Sequence, residues 1–218
     1  MTTFLTVDGV RARTASIDLN SGMWFADIDF DAVVPLAAKP TAVLGGLTLL
    51  GSIVPEFLGT FQQATKCRIL GGAGWLKAIP RKHFHNDAGV KASTVLKDAA
   101  ATCGETLILD APDQILAADW ARRNGTGMRT IETLYPKWYV DTRGTTHTAP
   151  RPATEITVDY EVLDFDPRMK VLTLAYDDLS GILPGSIVRK RLDKPITIKD
   201  MRITVDSGML RVSAWGRE

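Results

Sequence analysis

The sequence predicts a β-rich α+β protein, with two small β-barrel-like flanks and an α/β module inserted between them. Three observations carry this. Val95, Leu96, Ala99, Ala100 and Cys103 recur at i, i+1, i+4, i+5 and i+8, one buried stripe of a helix, while Lys97 and Asp98 fall off it. From Met23 to Asp31 the alternation is strict: Trp24, Ala26, Ile28 and Phe30 share one face, and Asp27, Asp29 and Asp31 the other. From Thr157 to Trp215 short apolar runs alternate with turn residues, the pattern of a small barrel. The expected divisions are residues 1–86, 87–149 and 150–218, the last opened by Pro150-Arg151-Pro152, which bars a helix.

In chain order, Phe4, Leu5 and Val7 lead to the turn dipeptide Asp8-Gly9, and Val10, Ala12 and Ala15 to Leu19 complete a hairpin. Pro35 and Pro40 delimit a linker. Thr41 to Val54 is the most apolar stretch, but Gly45, Gly46 and Gly51 break it and it is too short to span a bilayer as a helix, so a glycine-kinked strand pair is expected. Pro55 to Gln63 fits no single element. Lys66 to Leu70 and Trp75 to Ile79 read as two strands joined by Gly71-Gly72-Ala73-Gly74. That run lacks the Gly-Lys-Ser/Thr of a P-loop and the Gly-x-Gly-x-x-Gly of a dinucleotide site, so it reads as a hairpin turn.

The module, Lys91 to His147, runs helix, strand, strand, helix, hairpin. Gly104 stops the first helix, Thr106 to Leu109 and Trp120 to Arg123 are the strands, and Gly125-Thr126-Gly127 opens a helix whose Met128, Ile131 and Leu134 share a face. Trp138-Tyr139-Val140 and a turn at Asp141 to Gly144 close it. Beyond it, strands are expected at Thr157 to Leu163, Lys170 to Tyr176, Ser186 to Lys190, Pro195 to Ile198, Met201 to Val205 and Met209 to Trp215, with Asp206-Ser207-Gly208 turning the last hairpin.

Composition bounds the chemistry. The 26 Lys and Arg nearly balance 25 Asp and Glu, for a net charge of +1, so no specific nucleic-acid partner is announced. Arg189-Lys190-Arg191 and Arg122-Arg123 read as charged contacts between subunits. Cys67 and Cys103 are in no C-x-x-C pair and read as small buried residues of a reducing compartment. The first twenty residues have no basic start followed by an apolar core, so no secretory signal is expected and synthesis is in the cytoplasm.

Asp27, Asp29 and Asp31 begin like an EF-hand calcium loop, but position six is Ala32 and position twelve Ala38. The better reading is an acidic solvent face, or an acidic edge against a basic neighbouring subunit. His83 and His85 would share one side of a strand, a spacing zinc can use, with His147 as a third candidate ligand. No cysteine or carboxylate supports them at ligand spacing, so they read as a solvated strand end. No Gly-x-Ser-x-Gly occurs. No catalytic, cofactor-binding or metal residue is assigned, no cofactor is expected, and the protein is read as no enzyme.

Particular phrases carry a resemblance: Ala92 to Ala100, Cys103-Gly104-Glu105, Gly125 to Met128, Trp138 to Asp141, then Val171 to Leu174, Leu183 to Ser186, Ile203-Thr204-Val205 and Leu210-Arg211-Val212. With these the chain resembles the baseplate hub proteins of Mu-like contractile-tailed bacteriophages. The resemblance implies a structural protein of the virion tail, made in the bacterial host cytoplasm. It implies a homotrimeric ring joining the tail tube, or other baseplate proteins, to a trimeric spike, with no membrane partner. At 218 residues the chain is short beside such hubs, which implies a trimmed hub or one completed by a second polypeptide.

Two other classes compete. One is a barrel module whose groove binds an oligosaccharide or a nucleic-acid strand on exposed Trp75, Trp138 and Tyr139. The other is a metal-dependent hydrolase built on His83, His85 and an aspartate.

Overall fold

A computed structural model describes residues 5–206 and 209–217. The described residues hold two α-helices, α1 (Ala92–Cys103) and α2 (Gly127–Leu134), among strands and turns. No helix among them is long and apolar enough to cross a membrane. Phe4 and the Ser207-Gly208 turn expected above lie outside the described residues; Asp206 and Met209 face each other across a ladder.

Among the described residues the main sheet has eleven strands, and its long ones are β1 (Thr14–Leu19), β2 (Phe25–Phe30), β3 (Ala64–Leu70), β4 (Glu161–Asp166), β5 (Val171–Ala175), β6 (Ile196–Asp206) and β7 (Met209–Arg217). Their order is β4-β5-β7-β6-β1-β2-β3, every neighbour antiparallel. Strands from both flanks therefore share one sheet, with Ile17 of β1 opposite Ile203 of β6. The predicted alternation of β2 is observed: Ala26, Ile28 and Phe30 are buried, while Asp27 and Asp29 are half-exposed.

Strand β6 corrects an expectation. Pro195 to Ile198 and Met201 to Val205 are one strand, because the register shifts between Ile198 and Asp200. The bulge moves the buried set from Ile196 and Ile198 to Met201, Ile203 and Val205, an odd-for-even switch that reads in sequence as a break.

The glycine run is not a hairpin. Ala73–Leu76 forms a 3-10 turn, and Ala78–Ile79 pairs with Gly125–Thr126 instead of returning along β3. Close packing explains the glycines: a Cβ on Gly71 would sit 2.2 Å from Trp24 Nε1, and one on Gly74 would sit 2.4 Å from the Cys103 carbonyl oxygen. Pro55 to Gln63, unassigned from sequence, folds as a 3-10 turn at Pro55–Phe57 and a strand at Gly59–Phe61 that pairs with β3.

A smaller sheet holds the Asp8-Gly9 hairpin, confined to Thr6–Val7 and Val10–Arg11 because Ala15 to Leu19, expected in its second arm, joins the main sheet as β1, and the glycine-kinked pair, Thr41–Leu44 with Leu47–Leu50. In the module, α1 buries Val95, Leu96, Ala99, Ala100 and Cys103, the stripe read from sequence. Gly104 ends it in the left-handed conformation at φ 76°, donating back to the Ala100 and Ala101 carbonyls. Thr126 caps α2 by accepting from the Arg129 N–H. Lys82–His85 pairs across the expected 86/87 boundary with Asp119–Arg122. One contiguous core runs through all three parts, from Ile28 through Trp75, Val95 and Val140 to Leu172 and Ile203.

Candidate functional site

The place where the N-terminal strands, the module and the C-terminal strands converge is built on three tryptophans. Trp24 Nε1 donates to the Asp141 carbonyl at 2.8 Å, and Trp75 Nε1 to Thr146 Oγ1 at 2.8 Å. Both rings are fully buried, and Trp138 meets Trp75 edge-on at 6.4 Å between ring centres. The indoles of Trp24 and Trp75 thus both carry their polar atoms to partners contributed by the segment from Asp141 to Thr146.

On this floor lies a stack. Tyr139 and His147 are nearly parallel, 4.7 Å apart, and the Arg151 guanidinium sits 4.3 Å from the centre of the Tyr139 ring. His147 is held at Nδ1 by Asp110 at 2.8 Å and at Nε2 by Asp141 at 3.4 Å. Arg151 donates through Nη2 to the Val140 carbonyl at 3.0 Å and to the Asn20 carbonyl at 3.4 Å. Its Nε is buried with no hydrogen-bond partner among the described residues. Burial pushes the guanidinium pKa down to about 10, against the attraction of Tyr139, Asp141 and Asp200.

Arg151 lines a cleft of about 510 Å³ that draws walls from every part of the chain: Ser21 and Gly22, Glu132 and Met128 of α2, the segment from Pro136 to Tyr139, and Thr197 to Lys199 of β6. Of the groove aromatics read from sequence, Trp138 and Tyr139 do line this cleft, but Arg151 was missed: its triplet Pro150-Arg151-Pro152 reads as a boundary until the fold shows what the arginine covers.

The structure rearranges the other candidates. His83 and His85 do come together, but around Asp119, with His85 Nδ1 at 2.8 Å and His83 Nε2 at 3.5 Å; His85 Nε2 also meets Asp87 at 3.2 Å. His147 is in a different sheet, paired with Tyr139 and Ile108, and its ring nitrogens face Asp110 and Asp141 instead of joining that pair. Among the described residues no group of three His, Cys, Asp or Glu has metal-holding geometry.

Asp27 and Asp29 of β2, and Asp31 just after it, do not present an open acidic edge. Asp27 takes Arg68 bidentately at 2.6 and 2.8 Å, Asp29 pairs with Lys66 at 3.3 Å, and Asp31 with Arg13 at 3.3 Å. The basic triplet is likewise matched within the chain: Arg189 to Glu155, Lys190 to Asp159 and Arg191 to Glu161. Arg122 is buried against Asp98 at 2.7 Å and is no surface charge. Trp75 and Trp138, the expected stacking platform for a sugar or a base, are core residues, and Tyr139 already stacks on His147.

No family model and no curated protein matches this chain. Solved structures do. A tail protein from Neisseria meningitidis MC58 aligns at TM-score 0.66 and 13% identity over 99% of this chain and 96% of its own. The 43 kDa tail protein of prophage MuSo2 from Shewanella oneidensis aligns at TM-score 0.67 and 9% identity over 99% and 96%. An E. coli type VI secretion component, described as similar to the T4 tail proteins gp27 and gp5, aligns at TM-score 0.66 and 11% identity over 98% and 77%. The chain therefore has the fold of phage tail proteins, Mu-like prophages among them, as its sequence phrases suggested.

Proposed function

We propose that this protein is a structural component of a phage tail baseplate hub. It would assemble as a homotrimeric ring that joins the tail tube, or other baseplate proteins, to a trimeric spike. Residues 1–86, 87–149 and 150–218 would be its N-terminal barrel-like part, its α/β module and its C-terminal barrel-like part. The observation that carries this reading is the span of the likeness: 99% of the chain, module and main sheet together, follows phage tail proteins. The similar secretion-system protein, itself described as like gp27 and gp5, supports a place beside a spike. Strand edges also suit closure of a ring, because an unpaired edge is a template for another chain.

Light scattering on the purified protein tests the ring. A stable species of three chains of 23.8 kDa each, seen as rings by electron microscopy, is expected. A strict monomer at every concentration, both alone and mixed with a trimeric spike, would overturn it.

A further inference from the structure

The cleft at Arg151 has a chemistry that the tail reading does not explain. A buried guanidinium is normally paired with a carboxylate, because an unmatched charge or donor away from water is costly. Two carboxylates are near enough to attract Arg151, and both are committed elsewhere. Asp141 Oδ1 accepts from the Arg143 and Thr145 N–H groups, while its Oδ2 faces His147. Asp200 Oδ1 accepts from the Ser21 N–H and hydroxyl, and its Oδ2 pairs with Lys199 at 3.4 Å.

The guanidinium is nevertheless firmly placed. One face lies on Tyr139 and Nη2 is fixed by two main-chain carbonyls. Nη1 makes no hydrogen bond among the described residues and, unlike Nε, is not shut away from solvent. The cationic edge is thus held in place before any ligand arrives, which lowers the ordering cost of binding.

We infer that this cleft is a binding site for a carboxylate presented by an acidic polypeptide segment. Its lining carries Lys137, Arg151 and Lys199 against the single acid Glu132. Nη1, the guanidinium nitrogen left open to a ligand, can donate a charge-assisted hydrogen bond to a carboxylate. A volume of about 510 Å³ greatly exceeds one carboxylate, and Met128, Pro136 and Pro150 supply apolar wall for the residues on either side of the acid. The choice of a polypeptide over a free organic acid rests on the structural role proposed above; the anion site itself does not.

The test probes the full-length protein with an array of hexapeptides whose fourth position is Glu or Gln and whose flanks vary, followed by calorimetry on the tightest pair. Glu peptides are expected to bind about tenfold more tightly than their Gln counterparts. Arg151→Met should erase that preference. Because Arg151 also ties Asn20 to Val140, that variant could fail to fold, so the exposed rim variants Lys137→Ala and Lys199→Ala serve beside it. Each should weaken the Glu peptide about twofold, with the effect fading at high salt.

Citrate and inorganic phosphate form the second arm. If either binds as tightly as the best Glu peptide, the site is for small anions and the peptide occupant is overturned. If Glu and Gln peptides bind alike, or if neither peptide nor small anion binds, the carboxylate site is overturned. Neither result bears on the ring, which light scattering reads independently.

Discussion

The indole Nε1 of Trp24 donates to the main-chain carbonyl of Asp141 at 2.8 Å, across 117 residues of sequence. This bond fastens the start of β2 to the closing turn of the module. Trp24→Phe keeps most of the apolar contact and leaves the Asp141 carbonyl with the Gly144 N–H alone, so it should cost about 1 kcal/mol. Urea unfolding measures it; a loss within error of zero would show that the seam is held without this bond.

Gly71 and Gly59 make a matched pair. An added Cβ at Gly71 would strike the Trp24 ring, whereas nothing lies within 4 Å at Gly59. Gly71→Ala should destabilise by about 1–3 kcal/mol, and Gly59→Ala by almost nothing. Equal midpoints in urea for the two variants would contradict the close approach.

Two arginines of similar sequence appearance should behave differently. Arg122 is buried and donates to Asp98 and to the Pro80 carbonyl, while Arg189 holds Glu155 on the surface. Asp98→Ala leaves a buried charge without its partner and should cost about 3 kcal/mol. Glu155→Ala should cost less than about 1 kcal/mol, and less still in high salt. Thermal melts of both variants at two salt concentrations separate the cases.

Acid should unfold the protein through particular carboxyls. Burial alone would raise Asp98, but hydrogen bonds from Lys82 and Arg122 outweigh it and hold the group below the usual range. Burial likewise works against Asp110, and His147, the Ala149 N–H and Thr148 outweigh it. A carboxyl depressed in the folded state stabilises fully above its unfolded value of about 3.9. That contribution is lost as pH falls through the folded value. Glu105 opposes the trend, since burial raises it despite the Gly74 N–H, Lys39 and Lys77. Stability should therefore fall steeply below about pH 4. Asp98→Asn should flatten that fall, and Glu105→Gln should stabilise at neutral pH. Midpoints in urea across a pH series test all three.

Neither cysteine should react in the native protein. Burial, assisted by Asp27 and Asp29, pushes the Cys67 thiol up to about 11, and burial also raises Cys103. Iodoacetamide at pH 8 should label neither in buffer and both in urea, as read by mass spectrometry. Rapid native labelling of Cys67 would mean that β3 opens readily.

Much of this architecture was legible in the chain because it rests on local periodicity. The stripe on α1, the alternation of β2, the Gly104 stop and the Asp8-Gly9 turn each depend on residues a few positions apart, and each stands where the sequence put it. The bulge in β6 defeated the same logic by changing parity inside one strand, and the glycine run did so because its reason is an indole from a distant strand. Charges were read least well. Asp27, Arg122 and Arg189 announce only their sign, and whether each meets a partner subunit, a core or a neighbouring strand depends on what the fold brings opposite. The Arg151 cleft is the extreme case. Its base, rim and walls come from segments between Ser21 and Lys199, so tertiary packing alone creates it, by taking a guanidinium out of water while its nearest carboxylates are bound elsewhere.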